Sequence, residues 1–417
     1  MATIFVSIAS YRDPELVPTL RDLFSNAKKP DKIVVCICWQ RDKNESLEEF
    51  TDDKRVRIID IPYQAAKGAC WARYLIQQQY TGEDYFMQLD SHHRFVPDWD
   101  EKCINMIKQL QKSGSKKPLL TAYIPSFNPK KDPEERVQIP WRMVLDRFIP
   151  EGAVFFLPES IDDWKEQPLP VPARFFSAHF VFTIGRWAEE VFYDPDYYFH
   201  GEEISLAARS FTWGYDLFHP NIIVAWHEYT REGRTKCWDD DKNWVPKNDA
   251  SHAKNRRLFS MDGNIYDPNE FKEFGFGPIR SIRQYEKYCG LDFSTRRIHK
   301  DNIDKLTPNL EKMDISNEEF ENGLVTVFKH FIDIWKDNLP ESDYEFIVTA
   351  LHGEDDSTLY RKDLTSQELA SIVYNDKSFK VFPIEAPNIT KPKYWVVWPF
   401  SKAKGWGERL TGPIKYD

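Results

Sequence analysis

Over residues 3–90 the chain alternates short apolar runs with segments of helical spacing, and few folds accommodate that alternation. TIFVSIA (3–9), KIVVCICWQ (32–40), VRIIDIPY (56–63) and DYFMQLD (84–90) read as buried strands. Between them VPTLRDLFSNA reads as a helix, with Pro14 suited to its first turn. KGACWARYLIQQQY has helical spacing too, with Ala69, Ala72, Leu75 and Ile76 on one side. Strand–helix–strand alternation with short apolar strands argues an α/β unit on a largely parallel sheet. In such sheets ligands bind beyond the carboxyl ends of the strands. SYRD (10–13) and DSHH (90–93) both stand at such ends, so they can converge in space.

The pattern loosens from 119 to 230. PLLTAYIPSF, FSAHFVFTIG and NIIVAWHEY read as strands, RWAEEVFY as a short helix, and EEISLAARSFTWG as a helix closed by a Gly C-cap. Pro-rich loops fill much of 125–172. Residues 231–310 are charged and partly helical, and a linker is expected near 300–315. Beyond it LVTVFKHFIDIW, YEFIVTAL, FKVFPIE and YWVVWPF read as strands, with TSQELASIVY as a helix. This predicts a small β-rich module at 311–417 after a catalytic unit at 1–300.

Net charge is −10, with 56 basic and 66 acidic residues and no long basic block, so nucleic acid is not expected as the main partner. Aromatic residues are 15% of the chain, enough to build both a large core and apolar platforms for sugar rings. The six cysteines (Cys36, Cys38, Cys70, Cys103, Cys237 and Cys289) include no C-x-x-C pair. They are expected as reduced, mostly buried thiols of a cytoplasmic protein. No apolar run reaches membrane-spanning length and no secretory leader is recognised, so neither export nor a membrane span is expected.

The strongest local signal is Asp90-Ser91-His92-His93 after the fourth apolar strand. Residues two apart on an extended segment project to the same side, which brings a carboxylate and an imidazole together. That pair suits a divalent cation such as Mn²⁺, which tolerates oxygen and nitrogen donors, and such a cation can neutralise a diphosphate. Asp-x-His is weak by itself, since many loops carry it by chance. A third ligand is wanted: His227 closes the last apolar strand, with His200 and His179 as competitors. In YYFHGEE, Glu202 and Glu203 open a helix, where first-turn acids are electrostatically comfortable. Gly201 before them permits close backbone approach, so the acids can project into a cleft, bind ligand hydroxyls and position an acceptor. At the tip of the first strand, Ser7, Ala9 and Ser10 are small enough to admit a flat base, Tyr11 can stack on it, and Arg12 or Asp13 can bond base or ribose. Gly68 at a helix start exposes backbone N–H groups, and Arg73 can reach phosphate or base. No P-loop, G-x-G-x-x-G, G-x-S-x-G or H-E-x-x-H motif occurs, which disfavours P-loop ATPases, Rossmann dehydrogenases, α/β-hydrolases and zincins.

Together FVSIASYRDPEL, VCICWQ, GACWAR, QLDSHHRF followed by Trp99, HGEE and AWHEY resemble the polypeptide N-acetylglucosaminyltransferases that include the Skp1-hydroxyproline enzyme and trypanosomal mucin-type relatives. The resemblance covers roughly residues 1–260 and implies a GT-A fold. It divides the catalytic unit into a nucleotide-binding half (1–115), an acceptor half (116–265) and a helical extension (266–300). It implies UDP-N-acetylglucosamine as donor, a protein or glycan hydroxyl as acceptor, Mn²⁺ or Mg²⁺ as cofactor, and retention at the anomeric carbon. Asp-Ser-His is also similar to the metal motif of mucin-type N-acetylgalactosaminyltransferases, which maps metal ligation to Asp90, His92 and His227. On this reading Ser7, Ala9, Ser10, Tyr11, Arg12, Gly68, Arg73, Asp90 and Ser91 face the nucleotide, and Glu202 and Glu203 face the sugar and acceptor. His93 stands where the family motif often has Met, and residues 311–417 have no recognised counterpart. An inverting transferase, a metal-dependent nucleotide-sugar hydrolase and a non-catalytic carbohydrate binder are the alternatives. Product anomer, acceptor-independent sugar release, and glycan binding without turnover distinguish them.

Overall fold

The structure is a computed structural model that describes residues 2–230, 233–339, 344–370, 374–375, 379–387, 389 and 391–415. The chain forms two compact units, residues 1–296 with 301–322, and residues 297–300 with 323–417.

In the first unit the strands and main helices run β1 (Ile4–Tyr11), α1 (Leu16–Ser25), β2 (Ile33–Arg41), β3 (Val56–Pro62), α2 (Ala69–Gln77), β4 (Tyr85–Asp90), β5 (His93–Phe95), α3 (Trp99–Lys112), β6 (Pro118–Thr121), β7 (Trp141–Phe148), β8 (Val154–Ser160), β9 (Val171–Pro172), β10 (Phe180–Ile184), α4 (Glu202–Thr212), β11 (Asp216–His219) and β12 (Ala225–His227). Eight strands form one mixed sheet in the order β3-β2-β1-β4-β10-β6-β11-β9. The four strands expected from the apolar runs pair in parallel, with β1 between β2 and β4. β1 and β2 are central because IFVSIAS and VCICWQ are apolar or small on both faces. Val6, Ile8, Val35 and Ile37 are fully enclosed. β10 runs antiparallel between β4 and β6. Helix α1 begins at Leu16, so Pro14 lies in the turn ahead of it and Pro18 stands in the first helical turn.

Besides the short strands β9 and β11, which were not expected, two segments depart from the expected pattern. NIIVAWHEY yields only the three residues of β12, and these pair antiparallel with β5 in a separate two-stranded ribbon. Within the stretch expected to be loops, β7 and β8 form a hairpin. Both departures have one cause: three residues or a half-exposed hairpin give too little apolar periodicity to be read.

The ribbon is fastened to the first helix. Thr19 in α1 donates its hydroxyl to the Ser91 carbonyl at 2.9 Å and accepts the His93 N–H at 2.9 Å. Asp22 accepts the Phe95 N–H at 2.5 Å. Below this clamp Trp99 is fully buried and donates its indole N–H to the Leu23 carbonyl at 2.9 Å.

In the second unit a sheet built on Tyr344–His352, Thr358–Thr365 and Tyr394–Ser401 shares a core with one built on Val327–Trp335 and Phe379–Pro387. Ile332, Ile347, Leu351, Phe382 and Val397 form that core. The helix expected at TSQELASIVY spans Ser366–Ala370, and residues 371–373 lie outside the described residues. The expected class, an α/β unit with a large sheet followed by extra β-sheets toward the C-terminus, is the one observed. Among the described residues no helix is long and apolar enough to cross a membrane.

Replacing Trp99 by Ala empties the space beneath the clamp and leaves the Leu23 carbonyl without its donor. Unfolding in urea should show a loss of about 3–5 kcal/mol with an unchanged slope. A shift under about 1 kcal/mol would mean that α3 does not brace the ribbon.

Candidate active site

The sheet register sets Ala9 of β1 beside Asp90, the last residue of β4. Just beyond, the chain leaves the sheet, and β5 places His93 opposite His227 of β12. Asp90 Oδ2 then lies 3.4 Å from His227 Nε2 and 3.6 Å from His92 Nε2. One ligand atom from each of the three side chains falls within 4.8 Å of the other two. Burial opposes the charge on Asp90, but the bond to His227 and the charge of Arg73 outweigh it and hold the carboxyl well below its ordinary value. Burial pushes His227 down to about 4, although Asp90 pulls the other way. At neutral pH the group is therefore an anionic carboxylate beside a neutral ring with a free lone pair, which fits a divalent ion with mixed oxygen and nitrogen preference.

The other histidines take different places. His179 stacks on His227 with centroids 4.1 Å apart, and its Nε2 accepts the Ile124 N–H at 3.3 Å. His93 is fully buried, with Nδ1 3.0 Å from the Asp90 carbonyl. His200 lies against His252, centroids 5.6 Å apart.

Behind Asp90, Arg73 of α2 donates to Oδ1 at 2.6 Å and to the Leu89 carbonyl at 3.2 Å. Arg73 is 2% exposed. Asp90, Arg73 and His227 line a cleft of about 480 Å³ together with Glu202, Glu203, Tyr123, Tyr229 and Phe155 of the β8 edge. Two helices begin at this cleft. Both start on glycines with positive φ, Gly68 at 109° before α2 and Gly201 at 91° before α4. At Gly68 a Cβ would meet the Tyr198 carbonyl oxygen at 2.6 Å, so glycine is required there for the chain before α4 to approach.

The Cys70 thiol donates to Glu202 Oε2 at 2.7 Å. Glu203 accepts from the Tyr123 hydroxyl at 2.7 Å and the Ala178 N–H at 2.9 Å. Burial raises Glu202 to about 7 against the pull of Arg73, and raises Glu203 to about 8 against its two hydrogen bonds.

At the tip of β1, Ser7 and Ser10 are fully buried with hydroxyls that meet no partner, and Ala9 is partly exposed. Tyr11 and Arg12 both donate to Asp240 Oδ2 at 2.7 Å, and Arg12 lies over the Tyr63 ring at 4.5 Å. Ser91 turns inward and donates to Asp13 Oδ2 at 2.7 Å. Sequence reasoning missed Arg234, whose Nη1 stands 2.9 Å from His92 Nε2 while Nη2 pairs with Glu228 at 2.6 Å. It also missed Tyr123 and Tyr229 in the cleft wall. Arg234 and Tyr123 carry no local motif, and Tyr229 closes AWHEY, in which His227 is the metal-ligand candidate. Tyr123 and Tyr229 follow the ends of β6 and β12, and Arg234 lies beyond β12, held by His92 and Glu228.

The fold and this cluster define an α/β protein with a candidate divalent-metal site at the carboxyl ends of parallel strands. The model of the glycosyltransferase (GlcNAc) family matches residues 3–51 and 43–295, most of the chain, and the chain belongs to that family. No curated protein matches it. Among solved structures, GalNAc-T7 with UDP, GalNAc and Mn²⁺ aligns at 14% identity over 69% of this chain and 56% of that one, with a TM-score of 0.47. S. aureus TarS aligns at 10% identity over 99% of this chain and 77% of that one, TM-score 0.37. TarS 1–349 in complex with UDP-GlcNAc aligns at 11% over 56% and 60%, TM-score 0.35. These scores are low, and it is the family match that places the chain.

A carboxyl raised by folding binds its proton more tightly in the folded state. Its stabilising share is whole below the ordinary value near 4.5 and is lost as pH rises through the folded value of about 8. Glu203→Gln abolishes this titration, and the Tyr123 hydroxyl can accept from the new amide as readily as it donates. Between about pH 5 and pH 9 the wild-type Tm should fall by several degrees relative to the variant in calorimetry. Parallel curves would show that Glu203 is not raised.

Proposed function

We propose that the chain is a UDP-N-acetylglucosamine-dependent transferase that moves the sugar to a hydroxyl of a protein or glycan with retention at the anomeric carbon. The observation that carries this reading is the Asp90–His92–His227 group opening on an acidic cleft in a chain of the glycosyltransferase (GlcNAc) family. Within the family the motifs resemble the Skp1-hydroxyproline branch, and six unpaired cysteines, five of them buried, suit a cytoplasmic setting.

Asp90, His92 and His227 would hold Mn²⁺ or Mg²⁺, which when bound supplies charge neutralisation for a departing diphosphate. Arg73 fixes the Asp90 carboxylate through Oδ1 and leaves Oδ2 toward the imidazoles. Ala9, with Tyr11, Arg12 and Gly68, borders the nucleotide, while Ser7 and Ser10 are enclosed behind the strand tip and Ser91 turns to Asp13. Glu202 and Glu203 bind sugar hydroxyls and position the acceptor from the first turn of α4. In the retaining route the acceptor enters on the face that UDP leaves, and a leaving phosphate oxygen takes its proton, so no protein base is needed. An inverting route requires a base, and Glu202, raised to about 7, gives that second reading its support. The product anomer, read by NMR, separates the two.

A thermal-shift screen of UDP-sugars should show stabilisation by UDP-N-acetylglucosamine that depends on Mn²⁺. Asp90→Ala should cut transfer about a thousandfold, the equivalent of several kcal/mol, without unfolding the chain. Full activity in that variant, or stabilisation by no UDP-sugar, overturns the proposal.

A further inference from the structure

The first-strand tip carries one charged group that the reading above does not use. Past β1 the backbone bends sharply, with Arg12 at a φ of 46°, and the bend turns Asp13 inward. Asp13 is 7% exposed. Its Oδ1 accepts the Glu15 N–H at 2.9 Å, at the entry to α1. Its Oδ2 lies 2.8 Å from His92 Nδ1, accepts the Ser91 hydroxyl at 2.7 Å and stands 3.4 Å from Arg234 Nη1. The carboxylate therefore meets the imidazole on the nitrogen opposite the one that faces Asp90.

We infer that Asp13 is a positioning residue of the metal centre: it fixes the tautomer and rotation of His92 so that Nε2 presents its lone pair beside Asp90 and His227. An anionic carboxylate at Nδ1 accepts a hydrogen bond there, so Nδ1 keeps the ring proton and Nε2 is the ligating nitrogen. Arg234, a pure donor, lies against the ring edge nearer to Nδ1 than to Nε2, so its position does not select the tautomer. The carboxylate of Asp13, 2.8 Å from Nδ1, does. The inference rests on the reading of Asp90, His92 and His227 as a divalent-metal site.

Asp13 is tied both to the entry of α1 and to His92, so a loss of stability alone does not identify its role. The test uses the full chain in three forms: wild type, Asp13→Asn and Asp13→Ala. Asn keeps an oxygen for Nδ1–H but loses the charge, whereas Ala removes both. Titration calorimetry with MnCl₂ should show binding weakened about 10–100-fold in Asp13→Ala and less in Asp13→Asn. In metal-free protein, ¹⁵N NMR of the His92 ring should show the Nδ1–H tautomer in wild type and Asp13→Asn. Should Asp13→Ala fold, the Nε2–H form should grow in it. Mn²⁺ binding at wild-type strength in folded Asp13→Ala overturns the inference. So does an Nε2–H His92 in wild type, or an unchanged tautomer in Asp13→Ala. Should Asp13→Ala not fold, the Asp13→Asn affinity and the wild-type tautomer decide. Absence of Mn²⁺ binding in wild type overturns the metal-centre reading, and the tautomer then tests Asp13 by itself.

Discussion

Asp90 joins two structures that share no strand. Its backbone ends a parallel strand beside Ala9, while its carboxylate faces His227 on a ribbon outside that sheet. A half-buried carboxylate at a cleft rim is stable when its oxygens are met, and here Arg73 takes one and the imidazoles border the other. The Thr19 clamp keeps the ribbon within reach. Close around the cluster stand three carboxylates, Asp13, Asp90 and Glu228, and two guanidiniums, Arg73 and Arg234. Three negative and two positive charges leave one negative charge in excess before any ion is bound. With His227 neutral, that imbalance favours a cation over an anion at the cluster.

The cleft follows from the two positive-φ glycines. Gly68 and Gly201 begin helices that approach too closely for a side chain at Gly68, and their first turns contribute Cys70 and Glu202, which bond to each other. The helix ends favour negative charge, yet burial raises both acids of α4 toward neutrality. Desolvation outweighs the helix end because these carboxyls sit in a wall built from Tyr123, Tyr229 and Phe155 rather than in water.

The parallel half of the sheet was legible because its strands are short, apolar and spaced by helices, so periodicity alone located β1 to β4. Asp90 and His92 could be named from one strand end. The ribbon strand β12 could not be separated from a sheet strand, because a run such as IIVAWH reads the same in either setting. Arg234 lies seven positions beyond His227 in a charged segment, and no pattern marks a cation there as facing inward. Asp13 was visible as a loop acid, but its partner follows from the turn at Arg12, and a positive φ at a non-glycine residue leaves no signature in sequence. The family match reaches residue 295, whereas the unit at 323–417 carries its own core on Ile347, Phe382 and Val397.

The spacing of the motif follows from the same geometry. β4 ends at Asp90 and the chain bends at Ser91, so His92 comes back beside the Asp90 carboxylate while Ser91 and His92 both reach Asp13 Oδ2. Ser91 accordingly turns inward to Asp13, and His93 is fully buried with its Nδ1 held by the Asp90 carbonyl. The intervening residue thus serves two ends: it sets both donors toward the cleft, and it lends a hydroxyl to the carboxylate that orients one of them. The third donor comes from a segment outside the sheet, since β4 already has β1 and β10 on its two sides. A two-stranded ribbon that begins one turn beyond Asp90 meets that requirement, because its pairing of His93 with His227 fixes the third imidazole without adding a strand.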